Sequence, residues 1–371
     1  ALGARQWIEE GLGDTAHAAG GAVDGPVVDR ICSYAILGPF RLRKARISRD
    51  RQSRVSLARR LLIASRGGER ALKDFEYTAP GTLREAVKLL AEKGDSARAM
   101  AGGTDLIVQM RINRRQPERV VDIKNVPEVN ELTFTPRTGL RIGAAVPCHR
   151  LYKNADIAQR YPGIIDSAAI IGGIQIQGRA SFGGNICNSS PSADCIPVLI
   201  AYGATCEIAG PNGKRSVPVE EFCTGPGTNV LAPGELLVSV RVPLNRKNTG
   251  AHYLRFIPRN EMDIAVVGVG AYVELGGRGK VFKTARIGLA AVAPTPLFAS
   301  QAGEQLSGQP VSDETIEQAA EAAKSIARPI SDMRGTAEFR THLVGVLVKR
   351  ALHGAVKRAK GEFVANAVEV A

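Results

Sequence analysis

Two glycine pairs, Gly102-Gly103 and Gly183-Gly184, constrain what this chain can fold into more than any other feature. The first lies in AGGTDLIVQM, Ala101 to Met110, and the second in GRASFGGNICNSSPSAD, Gly178 to Asp194. Each reads as the end of a β-like run, a turn on Gly-Gly and a hand-over to small polar residues. Glycine lets the backbone come very close to a ligand, and successive free N–H groups in such a turn form an anion-binding nest. Two such turns with matching chemistry suggest one ligand with two close-approach points, such as the pyrophosphate and flanking groups of a dinucleotide.

The elements around the turns read as layered α/β structure. Phe75 to Thr78 is strand-like, and Thr82 with Glu85 has the capping-box spacing. Leu83, Val87 and Leu90 share a helix face that Gly94 stops. Ala97 to Ala101 and Arg119 to Ile123 complete a βαβ opening. Thr104 or Asp105 is placed to cap a helix from Leu106. Short strands follow in Glu131 to Val146, then helical stretches at Leu151 to Ala158 and Ile164 to Ile171. Cys195 to Ala201 reads as helix, and Thr205 to Ala209 and Glu235 to Val242 as strands. After a linker near Asn245 to Gly250 come three strand-like runs and two helices, Ser312 to Ala327 and Ala337 to Ala359, the pattern of an α+β domain.

Charge separates the N-terminal part from the rest. The net charge is +13, and residues 1–71 carry +6 of it, with 11 Lys/Arg against Asp50 and Glu69 between Arg41 and Arg70. Only Phe40 borders that run, so stacking on nucleic-acid bases is poorly supported. A solvated, poorly ordered basic extension is the plain reading, with a docking or targeting arm as its rival. Gly11 to Ala16 matches G-x-G-x-x-A but follows no strand, which argues against a dinucleotide fingerprint. The six cysteines form no C-x-x-C pair, which disfavours zinc and local iron–sulfur sites. No secretory signal or bilayer-length apolar run is visible, which points to a reducing, cytoplasmic protein.

The side chains of the two turns fit a nucleotide. Gly102, Gly103 and Thr104 suit phosphate through aligned amides, and equally suit a tight strand–helix turn. Ser181, Asn185, Asn188, Ser189, Ser190 and Asp194 suit a ribityl or ribose chain, or else a polar surface loop with Asp194 as a helix cap. Arg255 is placed to reach a phosphate or flavin edge, or to pair with Asp263. No P-loop, kinase signature or G-x-S-x-G is present, and His149 beside Cys148 makes a poor dyad. No catalytic side chain and no metal ligand is expected.

Taken in order, FEYTAPGTLREAVKLL, AGGTDLI, GRASFGGNICNSSPSAD, ELLVSVRVP and RNEMDIAVVGV resemble the FAD-binding medium subunit of the molybdenum hydroxylases, the group of xanthine dehydrogenase and aerobic carbon monoxide dehydrogenase. The resemblance implies a two-subdomain, PCMH-like α/β FAD-binding domain at 72–246, divided at about 130, and a smaller C-terminal α+β domain with an antiparallel sheet and helices at 247–371. It implies FAD held near the pyrophosphate by Ala101, Gly102, Gly103, Thr104, Asp105 and Leu106. Along the diphosphate, ribityl and ribose it implies Ser181, Gly183, Gly184, Asn185, Asn188 and Asp194, with Leu237 near the isoalloxazine and Arg255 at a position that is usually lysine. It also implies partner subunits, one with the molybdenum cofactor and one with two [2Fe–2S] clusters, in a heterohexamer, and an acceptor that is NAD⁺, a quinone or oxygen. Two departures stand out: Ser181-Phe182 replaces a more usual Thr-Ile, and residues 1–71 have no counterpart, which fits translation begun upstream of the natural start. The competing readings are a stand-alone flavin oxidase, and a nucleotide- or nucleic-acid-binding module that uses the basic arm.

Overall fold

The computed structural model describes residues 72–259 and 262–365. The expectations for residues 1–71, Cys32 among them, lie outside the described residues.

The first layer is a three-stranded parallel sheet in the order β1-β3-β2, from β1 (Glu76–Thr78), β2 (Ala97–Met100) and β3 (Arg119–Asp122). The crossover between β1 and β2 is helix α1, Leu83–Lys93. Thr82 Oγ1 accepts from the Glu85 N–H, as the capping spacing predicts, but Glu85 reaches back to the Gly81 N–H rather than to that of Thr82. Leu83, Ala86 and Leu90 form the buried stripe, and Gly94 ends the helix at φ +50°. A short helix, α2 (Leu106–Arg111), follows the first glycine pair.

The second layer is a five-stranded antiparallel sheet. It runs β4-β5-β10-β6-β7, from β4 (Leu132–Thr135), β5 (Gly139–Gly143), β6 (Thr205–Gly210), β7 (Gly213–Pro218) and β10 (Leu236–Val242). The remaining strands of this stretch, β8 (Cys223–Gly225) and β9 (Thr228–Asn229), make a small ribbon. Among the helices between β5 and β6 are α3 (Pro162–Ala168), α4 (Phe182–Asn188) and α5 (Cys195–Tyr202). Every residue of α5 is buried, as its all-apolar sequence demands. The stretch predicted as one helix at Leu151 to Ala158 is two, Cys148–Tyr152 and Ala155–Arg160, because Asn154 Oδ1 accepts from the Ile157 N–H and starts the second.

The last layer is a four-stranded antiparallel sheet, β11 (Thr249–Phe256), β12 (Val267–Gly276), β13 (Val281–Ala290) and β14 (Leu297–Phe298), in sequence order. Helices α6 (Ser300–Leu306), α7 (Asp313–Ile326) and α8 (Ala337–Ala359) belong to the same hydrophobic core as this sheet. A separate core unites the first two layers and extends to Tyr253. The two cores meet through buried polar ties as well as apolar ones: Arg358 of α8 grips both oxygens of Asp166 in α3, at 2.5 and 2.9 Å. The architecture is thus a mixed α/β part followed by an antiparallel α+β part.

Candidate functional site

The two glycine elements face one cleft of about 730 Å³, within the roughly 300–1,000 Å³ of small-molecule and cofactor sites. Their contact is direct. Gln109 Nε2 in α2 donates to Asn188 Oδ1 at the end of α4, at 2.8 Å. A Cβ added at Gly102 would lie 2.0 Å from the Arg179 carbonyl oxygen, so only glycine lets the first turn pass the backbone of the second element.

The first element is a turn. Gly103 has φ +77°. Among the described residues, no N–H from Gly102 to Asp105 donates to a protein acceptor. Lys124 Nζ holds the turn's entrance by donating to the Ala101 carbonyl and to Asp122. Asp105 precedes α2 without a side-chain capping bond, which corrects the expected cap; its backbone is already helical, and the residue lines the cleft.

The second element is not a turn on glycine. Gly183 and Gly184 sit in the first turn of α4, neither at positive φ. Ser181 is the N-cap, its Oγ accepting from the Gly184 N–H at 3.1 Å. Gly183 is buried, and a Cβ there would meet the Ala144 carbonyl oxygen at 2.4 Å. Its missing side chain therefore serves packing against Ala144, and Gly183 does not line the cleft. A Cβ at Gly184 would meet only Ser181 Oγ, at 3.2 Å.

Of the residues singled out from the sequence, the cleft is lined by Ala101, Gly102, Gly103, Thr104, Asp105, Leu106, Ser181, Gly184, Asn185, Asn188, Asp194 and Leu237. Leu237 is aimed there beside a register shift in the pairing of β10 with β6, between Leu237 and Ser239. Asn185 Oδ1 accepts from the Cys195 N–H and Sγ, which fixes the amide's orientation. Asp194 makes no capping bond. Its carboxylate is mostly buried at the cleft wall, accepting from Tyr253 Oη at 2.8 Å and from Arg255 Nη1 at 2.8 Å. Burial pushes its pKa up, against the pull of both donors. Arg255 is thus the buried partner of Asp194 and does not line the cleft; Asp263, the partner considered from the sequence, lies instead near Arg259 and Arg334, at 3.5 and 3.8 Å.

Sequence reasoning missed two cleft arginines. Arg98 on β2 donates to the Ala97 carbonyl, and Arg115 donates to Gln109 Oε1 and the Gly227 carbonyl, so both bond neutral acceptors. Burial and the nearby charges of Arg98 and Arg114 hold the Arg115 pKa down. Their nearness to a glycine turn was the available signal. Free amides, two arginines and a hydroxyl at Thr104 suit a bound pyrophosphate, and Ile171, Ile176, Leu237 and Ile264 supply apolar wall for a ring system. The residues present therefore fit a flavin dinucleotide. No group of three or more potential metal ligands occurs among the described residues.

Residues 73–245 match the family profile described as the FAD binding domain in molybdopterin dehydrogenase, and residues 252–355 match the CO dehydrogenase flavoprotein C-terminal domain. The chain is 33% identical to the xanthine dehydrogenase FAD-binding subunit of Escherichia coli O157:H7, over 78% of this chain and 99% of that one. It is 34% identical to the carbon monoxide dehydrogenase medium chain of Hydrogenophaga pseudoflava, over 76% and 98%. Among solved structures, carbon monoxide dehydrogenase from Hydrogenophaga pseudoflava lacking the Mo-pyranopterin moiety of its cofactor superposes with a TM-score of 0.75 at 34% identity, covering 78% of this chain and 99% of that one.

Proposed function

The chain belongs to the FAD-binding subunits of the xanthine dehydrogenase and carbon monoxide dehydrogenase type of molybdenum hydroxylases, and from that premise we propose how its cleft serves an oxidoreductase complex. Gly102 to Asp105 hold the pyrophosphate on main-chain amides, with Arg98 and Arg115 balancing its charge. Asn188 and Asp194 receive the sugar hydroxyls; Asp194 has lone pairs left after Tyr253 and Arg255 have donated to it. Leu237 packs on the ring. Gly183 and Arg255 act one step back, the first by letting α4 lie on Ala144 and the second by fixing the Asp194 carboxyl group through its Nη1 donor.

When bound, FAD supplies the ability to take electrons singly and release them in pairs, and this chain's residues bind and orient it. No side chain of the cleft is required as acid, base or nucleophile. Electrons arrive from a partner subunit with two [2Fe–2S] clusters, reduced in turn by a subunit with the molybdenum cofactor, and leave to NAD⁺, a quinone or oxygen. The assembly is a heterohexamer of two three-subunit units. The flavin-binding part is 72–246 and the C-terminal part 247–371. The five cysteines among the described residues are free, which suits a reducing, cytoplasmic setting, and no described helix is long and apolar enough to cross a membrane.

The observation that carries this reading is the Gln109–Asn188 bridge, which joins the two glycine elements across one cleft. The test is purification from the native host with flavin and metal analysis. FAD together with molybdenum, iron and two further polypeptides is expected; FAD in a protein free of both metals and of partners contradicts the reading in favour of a stand-alone flavin oxidase.

A further inference from the structure

Two irregular segments line the cleft on the side of the C-terminal part, Ser190 to Asp194 and Met262 to Ala265. Neither belongs to a helix or strand that would hold it in place. Both are tied to one side chain outside the cleft. Arg340, in the first turns of α8, is 4% exposed. Its Nη1 donates to the Val266 carbonyl at 2.7 Å and to the Ala291 carbonyl at 3.2 Å. Its Nη2 donates to Asp332 Oδ1 at 2.7 Å. The Ala291 N–H in turn donates to the Pro191 carbonyl at 2.7 Å. The guanidinium therefore holds Val266, next to Ala265, and holds Pro191 through one residue.

The intermediate residue is strained. Ala291 has φ +64°, a left-handed conformation that L residues adopt only where the surroundings over-determine it. Here the N–H is pinned by the cleft segment and the carbonyl by Arg340. The Arg340 Nε is buried with no hydrogen-bond partner among the described residues.

We propose that Arg340 is a positioning residue for the flavin cleft, setting the spacing between the Ser190–Asp194 and Met262–Ala265 walls without touching the ligand. The proposal rests on the reading of the cleft as the FAD site. Arginine suits the task because one planar fork can reach divergent acceptors, which a lysine ammonium on a single stem does poorly.

The test uses the full chain stripped of flavin, titrated with FAD by calorimetry, with the melting temperature of the flavin-free protein and the visible circular dichroism of the bound flavin measured alongside. Arg340→Met is expected to weaken FAD binding by about 10-fold or more, the scale of one lost charge-assisted hydrogen bond, and to change the bound-flavin spectrum. Arg340→Lys is expected to restore part of both. Asp332→Asn, on the surface and away from the cleft, is expected to keep the melting temperature close to wild type and to weaken FAD binding in the same direction by a smaller factor. If Arg340→Met lowers the melting temperature while the folded protein binds FAD with wild-type affinity and spectrum, Arg340 is only a structural anchor and the proposal is overturned. Should Arg340→Met not fold, Asp332→Asn decides, and wild-type affinity and spectrum there overturn it too. A wild-type chain that binds no FAD would instead refute the underlying reading of the cleft.

Discussion

The two glycine elements look alike in sequence and differ in what glycine does for them. In the first, Gly103 takes a backbone conformation closed to most residues, and the amides from Gly102 to Asp105 stay free to meet a ligand. In the second, Gly183 and Gly184 are ordinary helical residues, and the missing Cβ at 183 lets α4 lie against Ala144. One pair shapes the surface that a ligand meets. The other sets how deeply the supporting helix sinks into the core. The same dipeptide thus carries two physical roles, and only the three-dimensional neighbours tell them apart.

Substitutions can break this contrast. The largest effect on stability is expected for Gly183→Ala. The new Cβ would overlap the Ala144 carbonyl and Cα, both main-chain atoms that cannot swing aside. A loss of about 2–3 kcal/mol is expected, measured by urea unfolding. The fraction that remains folded should lose less FAD affinity than the turn variant Gly103→Ala does, because residue 183 lies outside the cleft and reaches it only through the position of α4. Equal losses of stability and flavin affinity would erase the distinction between the elements.

Gly103→Ala should show the reverse balance. Its φ of +77° imposes about 1–2 kcal/mol of strain on an alanine, a smaller cost to folding. FAD affinity should nevertheless fall at least about 10-fold, because the strained turn reorients the free amides. Retained affinity in a titration of the folded variant would mean that those amides do not hold the ligand.

The smallest effect is expected for Gly184→Ala. Alanine favours a helix over glycine by up to about 1 kcal/mol, and the only close neighbour, Ser181 Oγ at 3.2 Å, is a side-chain atom that can shift. Stability should change by under about 1 kcal/mol in thermal unfolding. Any larger loss would show that Ser181 cannot yield without losing its cap on α4.

Much of this arrangement is legible in the sequence, for identifiable reasons. The stripe of α1, the strand alternations and the long amphipathic α8 follow from local periodicity, and α8 spans the stretch predicted for it, Ala337–Ala359. Helix α4 is not legible, because Phe-Gly-Gly-Asn has poor helix propensity and forms a helix here through the Ser181 cap and the contact with Ala144. The Asp194–Arg255 pair bridges residues far apart in the chain, and no local pattern points from one to the other. Arg98, Arg115 and Arg340 are ordinary charged residues until the fold shows what surrounds them. Local rules place the elements; the division of labour between glycines, and the partner of each buried charge, come from tertiary contact.

The most direct test of the central claim is a crystal structure of the protein with FAD bound. The account predicts pyrophosphate oxygens within hydrogen-bond distance of the main-chain N–H groups between Gly102 and Asp105, with Asn188 and Asp194 on the sugar hydroxyls and no ligand atom touching Gly183. A flavin bound away from the Gly102–Asp105 amides, or held by the second element alone, would contradict it.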